Sequence, residues 1–246
     1  MSYEIKPVKC NKDKIKLKEG EGVYFPSRTA PCIITGVARS GKGVVLANLL
    51  GDERFLKGAY DQIYLISESA KEDQSMDPIG IPDSNKIDDL DKAPEIIDKI
   101  MKLNRSMIEA SGNQNHKCPY ICIILDDVIN NGKFMRNKII QRLYISFAHY
   151  NITPFLLTQH RKSVLKLFRT NAQSVMFFRA NHEQNMQLSE DECPAGFKKK
   201  DFVKVIEYAT KEPYTFLWIN KTAPKIEDRY WKCFTEKIDL EKFRSS

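Results

Sequence analysis

Five short apolar runs, separated by longer stretches with helical periodicity, constrain the fold more than any other feature of the chain. They are Cys32–Thr35, Gln62–Ser67, Tyr120–Leu125, Thr153–Thr158 and Ser174–Phe178, most of them apolar along nearly their whole length. Strands buried on both faces read this way, and their alternation with helices predicts a mainly parallel sheet built from βα units and flanked by helices. Helices are expected at Lys42–Leu50, closed by Gly51, and at Pro94–Ala110, with Pro in the first turn and Gly112 just beyond the end. A third is expected at Phe134–His149, where Ile140, Leu143, Tyr144 and Phe147 recur at helical spacing. Residues 70–92, with Pro78, Gly80, Pro82 and six aspartates, read as an exposed loop. Near the end, Phe202–Ala209 and Tyr214–Asn220 flank Thr210-Lys211-Glu212-Pro213 and read as an antiparallel hairpin appended to the sheet. The expected organisation is a lysine-rich N-terminal arm over 1–30, then a single α/β domain over 31–246 that ends in the hairpin and a tail.

With 246 residues, 42% apolar and 29% charged, the chain can bury a large core, which excludes global disorder. Its longest uninterrupted apolar run, around Tyr120–Leu125, falls far short of the roughly 20 residues a membrane helix needs. The opening Met1-Ser2-Tyr3-Glu4-Ile5-Lys6 lacks the apolar core of a signal peptide, so an intracellular, soluble protein is expected. The net charge of +7 is compatible with a polyanionic partner, although many ordinary basic enzymes carry as much. The six cysteines include no C-x-x-C pair. Cys118 and Cys122, near His116, lack a second ligand pair at zinc spacing, and the thiols read as reduced and structural.

The sharpest chemical signal is Gly36-Val37-Ala38-Arg39-Ser40-Gly41-Lys42-Gly43, which follows the first strand and opens a helix. Glycines let the backbone curl so that successive N–H groups face phosphate oxygens, the helix N-terminus adds partial positive charge, and Lys42 supplies a cation for the β/γ-phosphates. Gly36, Val37, Ala38, Arg39, Ser40, Gly41, Lys42, Gly43 and Val44 are thus the candidate nucleotide-binding segment. Gly43 stands where the pattern usually has the Ser or Thr whose hydroxyl ligates Mg2+, so a metal here must be held through water or another group.

The strand Tyr120–Leu125 ends in Asp126-Asp127. Buried strands rarely end on paired acids without a cation to offset their repulsion. In a nucleotide-hydrolysing site, Asp126 would hold the Mg2+ shell and Asp127 would act as general base on the attacking water. The other reading is a solvated turn, since Asn130-Asn131-Gly132 follows. Gln159, at the tip of Thr153–Thr158, could bond the γ-phosphate or the lytic water. Arg142, Arg161 and Arg169 are candidates for an arginine finger that acts across a subunit boundary, or for surface ion pairs. Lys198-Lys199-Lys200 is a candidate DNA-backbone contact or solvated surface.

The order of these motifs resembles the FtsK–HerA branch of P-loop ATPases, in which the strand after the acid pair carries a Gln sensor. His149-Tyr150-Asn151-Ile152, leading into the Gln-tipped strand, is similar to the Arg-His-x-Asn-Ile stretch of the genome-packaging ATPases of poxviruses, other large eukaryotic DNA viruses and virophages. Arg169-Thr170-Asn171 looks like that family's downstream segment. The resemblance covers roughly residues 30–180, and departs from the family at Ala148, where an Arg is usual, and at Gly43. It implies a RecA-like core with the Gln strand between the P-loop strand and the acid-pair strand, ATP and Mg2+ as cofactors, and a homo-oligomeric ring of five or six subunits. It further implies double-stranded DNA and viral capsid proteins as partners, a genome packaged into a preformed capsid, and a place in the host-cell cytoplasm, at the virus factory, and in the virion. Two other functions remain open on the residues alone: a nucleotide or small-molecule kinase, and a nucleotide-binding module that hydrolyses weakly because Gly43 lacks the hydroxyl.

Overall fold

Neighbouring residues of the apolar runs face opposite sides of one sheet, and each side is covered. The computed structural model describes residues 28–52 and 55–245, so residues 1–27 of the expected N-terminal arm lie outside the described part. The strands are β1 (Cys32–Thr35), β2 (Gln62–Ile66), β3 (Lys86–Ile87), β4 (Ile121–Asp126), β5 (Ile152–Thr158), β6 (Ser174–Phe178), β7 (Phe216–Asn220), β8 (Tyr230–Lys232) and β9 (Glu236–Lys237). They form one sheet in the order β3-β2-β4-β5-β1-β6-β7-β8-β9. Strands β1 to β6 run parallel, and β7, β8 and β9 add antiparallel pairs at one edge. As the resemblance implied, β5 lies between β1 and β4.

On one face Ile34, Cys122, Ile124, Phe155, Leu157 and Met176 pack with Leu46, Leu49 and Leu50 of α1 (Lys42–Gly51). On the other, Ile33, Ile123, Leu125, Leu156, Val175 and Phe177 share a core with α2 (Ala93–Ala110) and the later helices. The period-2 alternation of a strand thus serves two layers at once, which is why the runs are apolar throughout.

Three expectations need correction. Phe134–His149 is not one helix but α3 (Gly132–Met135), α4 (Lys138–Ser146) and a 3-10 turn at Phe147–Tyr150. The side chains of Asn131 and Asn137 accept from the Phe134 and Ile139 amides, so each starts a new helix. Phe202–Ala209 is not a strand. It lies in α7 (Lys199–Ala209), where Phe202, Val205, Ile206 and Ala209 form one buried stripe at helical spacing. The antiparallel element at the C-terminal end is instead β7–β8–β9. Residues 70–92 are not wholly exposed: Met76, Ile81, Ile87 and Leu90 are buried, and the segment contains β3 and a 3-10 turn, Gln74–Ile79, that lies against α1. The remaining helices are α5 (Lys166–Asn171) and α6 (His182–Glu192). Among the described residues no helix is long and apolar enough to cross a membrane.

Candidate nucleotide site

Because β1, β5 and β4 are parallel neighbours, their C-terminal ends lie side by side, with Thr35 opposite Thr158 and Asp126 opposite Leu157. The segments that leave those ends meet around a cleft of about 350 Å3, lined by Ala38, Arg39, Gly41 to Val44, Asp73, Ser75, Asp126, Asp127, Leu157, Gln159 and Tyr214. Ligands of open α/β sheets bind at this edge. The loop before α1 turns through Gly41, whose φ of 104° lies in the left-handed region that a side chain disfavours. Non-glycine residues in that region concentrate at the cleft: of the six among the described residues, Arg39, Asp127 and Tyr214 line it. Strained backbone of this kind persists where the surroundings over-determine it.

Lys42 is buried, and its Nζ donates to the carbonyls of Gly36 at 2.8 Å and Val37 at 3.0 Å, which folds the side chain along the loop. An ammonium has three donors, so one remains to face the cleft. Burial lowers its pKa, and the carboxylates of Asp127 and Asp126 pull it back up. Across the cleft, burial pushes Asp126 up to about 7, reinforced by the charges of Asp127 and Asp73 and opposed by Lys42. Asp127 follows the strand with φ 49° and no longer runs along it. Its Oδ2 accepts from Gln159 Nε2 at 3.0 Å, and the Gln159 carbonyl accepts from Gln184 Nε2 of α6 at 3.1 Å. Three carboxyl groups, Asp73, Asp126 and Asp127, line the cleft with the Lys42 ammonium and the Arg39 guanidinium, and hard divalent cations prefer such oxygen donors, so the residues present fit Mg2+.

Gly41, Lys42, Gly43, Val44, Asp126, Asp127 and Gln159 are therefore brought together. The three arginines are not: none of them lines the cleft. Arg161 has a fully buried side chain, paired with Glu192 at 2.7 Å and Asp191 at 3.2 Å. Arg169 pairs with the same Asp191 at 2.6 Å and bonds the Val164 carbonyl. Arg142, on α4, pairs with Asp98 of α2 at 2.5 Å and keeps an exposed side chain. Lys198, Lys199 and Lys200 are exposed at the start of α7. The sequence reading missed Asp73, Ser75 and Tyr214. Tyr214 gave no signal because it reads as the first residue of the strand run Tyr214–Asn220, although the strand begins at Phe216, and the other two sit in a segment that reads as loop.

The chain is similar to the pCW3 conjugation coupling protein TcpA, with a TM-score of 0.64 at 15% identity, over 94% of this chain and 68% of that one. It is also similar to the genome packaging NTPase B204 of Sulfolobus turreted icosahedral virus 2, solved with ATP-gammaS, with a TM-score of 0.58 at 13% identity over 85% and 99%. The fold is that of a P-loop ATPase. Among curated proteins, this P-loop fold's sequence is 23% identical over 236 residues to the uncharacterized protein 075L of Invertebrate iridescent virus 6, covering 96% of this chain and 86% of that one. It is 22% identical over 130 residues to the uncharacterized protein 015R of Frog virus 3, covering 53% and 39%. No protein-family model matches the chain.

Proposed function

We propose that this chain is an ATP-hydrolysing double-stranded DNA translocase that packages a viral genome into a preformed capsid. The single observation that carries the hydrolytic part is the hydrogen bond of Gln159 to Asp127, held across one cleft from Lys42. In this reading the 36–44 segment receives the triphosphate: its N–H groups and Lys42 take the β/γ-phosphate charge. Mg2+ would neutralise charge on the phosphate oxygens, held by Asp126. Asp127 accepts the proton of the attacking water, and Gln159 orients Asp127 and the water together. The kinase alternative is less well supported, because an acid and an amide paired to each other suit a small nucleophile such as water.

The packaging part rests on the motif resemblance, on the similarity to a packaging NTPase and on the relatives in large DNA viruses. DNA contacts would be backbone-directed, with a homo-oligomeric ring of five or six subunits as the working form and capsid proteins as the docking partner. Arg142 is the arginine of the three with the exposure a finger requires, so the trans role passes to it in this proposal. The test is ATP hydrolysis by the full chain, with and without double-stranded DNA, at two salt concentrations. Turnover that rises with DNA and falls with salt supports the motor. Hydrolysis indifferent to DNA leaves an ATPase without translocation, and phosphate transfer to a small acceptor overturns the reading in favour of a kinase.

A further inference from the structure

Gly43 lacks the hydroxyl that the phosphate-loop pattern places at this position, and the structure fills the same space from elsewhere. A Cβ built on Gly43 would stand 2.9 Å from Ser75 Oγ, 3.5 Å from Ser75 Cβ and 3.7 Å from Met76 Cε. The first of these is closer than real Cβ contacts allow, so a side chain at 43 and the hydroxyl of Ser75 compete for one volume. A serine oxygen at 43 would lie a single bond from that Cβ, in the region Ser75 Oγ already borders.

The turn that delivers Ser75 is built to do so. Asp73 Oδ1 accepts from the Ser75 amide at 2.8 Å and starts the 3-10 turn, while Met76 is buried beneath it. At the other end of α1, a Cβ on Gly51 would stand 2.7 Å from the Pro78 carbonyl, so the turn lies against the helix along its length. Ser75 and Asp73 line the cleft with Asp126 and Asp127. Asp73 is close enough to Asp126 to oppose its ionisation. The turn therefore reaches the carboxylate side of the cleft, where a cation would be held.

We infer that Ser75 replaces the missing phosphate-loop hydroxyl, supplying to the nucleotide-bound Mg2+ the oxygen that Gly43 cannot. The inference rests on the proposed nucleotide site and assigns a metal-side residue within it. Gly43 and Ser75 then form a matched pair: the glycine is required because the serine is there, and the serine is required because the glycine has no side chain. A packing role alone would explain the close approach but would give the Ser75 hydroxyl no influence on the cation.

The experiment measures ATP-gammaS affinity of the full chain in EDTA and in Mg2+, for the unsubstituted protein, Ser75→Ala, and Ser75→Ala combined with Gly43→Ser. Mn2+ titration followed by electron paramagnetic resonance reads the metal directly. Affinity in EDTA serves as the reference for each protein, so that the Mg2+ gain is read separately from any change in nucleotide contact. The gain conferred by Mg2+, and Mn2+ affinity in the complex, should fall about tenfold in Ser75→Ala, the scale on which metal sites respond to loss of a supporting group. The double variant, with the hydroxyl returned to position 43 and the collision removed, should recover both. A Ser75→Ala protein that keeps the full Mg2+ gain overturns the inference. So does a loss that the double variant fails to recover, because that assigns the effect to packing. If the unsubstituted chain binds no ATP-gammaS in either condition, the nucleotide site itself is wrong, and the inference falls with it.

Discussion

Gln159 and Asp127 leave adjacent parallel strands, and their side chains meet at 3.0 Å, amide to carboxylate. The bond joins the proposed base to the proposed sensor, so neither can move without loading the other. Substitutions at the two should therefore be non-additive. Asp127→Asn is expected to retain ATP-gammaS binding and to lower turnover by about 10²- to 10⁴-fold, the usual contribution of a positioned base. Adding Gln159→Ala should cost much less than it does alone, and a double-mutant cycle on kcat checks this. Full additivity would mean that the two act separately.

Lys42 is expected to be indispensable for binding rather than for chemistry. Its Nζ is the one ammonium in the cleft among the described residues and is bent along the loop toward Gly36 and Val37. Lys42→Ala should reduce ATP-gammaS affinity by at least an order of magnitude, since charge-assisted bonds of this type contribute about 1.5–3 kcal/mol. Calorimetric titration reads it, and unchanged affinity would remove the phosphate-loop assignment.

Asp126 ties stability to pH. Its folded-state value near 7 lies above the ordinary 3.8, so the fold prefers the protonated acid. Without divalent cation, stability should decline as pH rises from about 4 to about 7 and level off above that. The decline is expected to be on the order of 4 kcal/mol, or about 10 °C in Tm for a chain of this size. Asp126→Asn should flatten the slope. Thermal melts in EDTA across this range check both statements.

Arg161 and Arg142 should separate cleanly. Removing Arg161 leaves Glu192, itself nearly buried, with only Lys221 at 3.3 Å. Breaking a buried pair from one side costs about 3 kcal/mol, so Arg161→Ala should lower Tm by roughly 10 °C. Arg142→Ala removes an exposed pair and should shift Tm by no more than about 3 °C. Its proposed effect belongs to turnover in the assembled ring, read as kcat against protein concentration.

The sheet was legible because its strands are buried on both faces, which leaves an uninterrupted apolar signature in β1, β4 and β5. The phosphate loop, the acid pair and Gln159 were legible because each sits where a strand ends, so strand order sufficed to bring them together. Phe202–Ala209 misled because Phe202, Val203, Val205 and Ile206 are β-formers by composition, while their helical stripe shows only in the spacing of 202, 205, 206 and 209. Arg161 looked available because arginine usually is. Its partners, Asp191 and Glu192, lie about thirty residues away, and no local pattern announces them. Ser75 was hidden for the opposite reason: its segment is polar and rich in aspartate, and its closeness to Gly43 depends on how a turn lies across a helix.

At Gln159 and again two residues on, at Arg161, the chain is fastened to α6. Gln184 holds the Gln159 carbonyl from the first turns of that helix, and Asp191 and Glu192 grip Arg161 from its last. The Glu192 carbonyl in turn accepts from the Tyr230 hydroxyl of β8. The tip of β5 is thus tied to both ends of one helix. Helix α6 thereby links Gln159 and Arg161 to the antiparallel edge of the sheet through Tyr230.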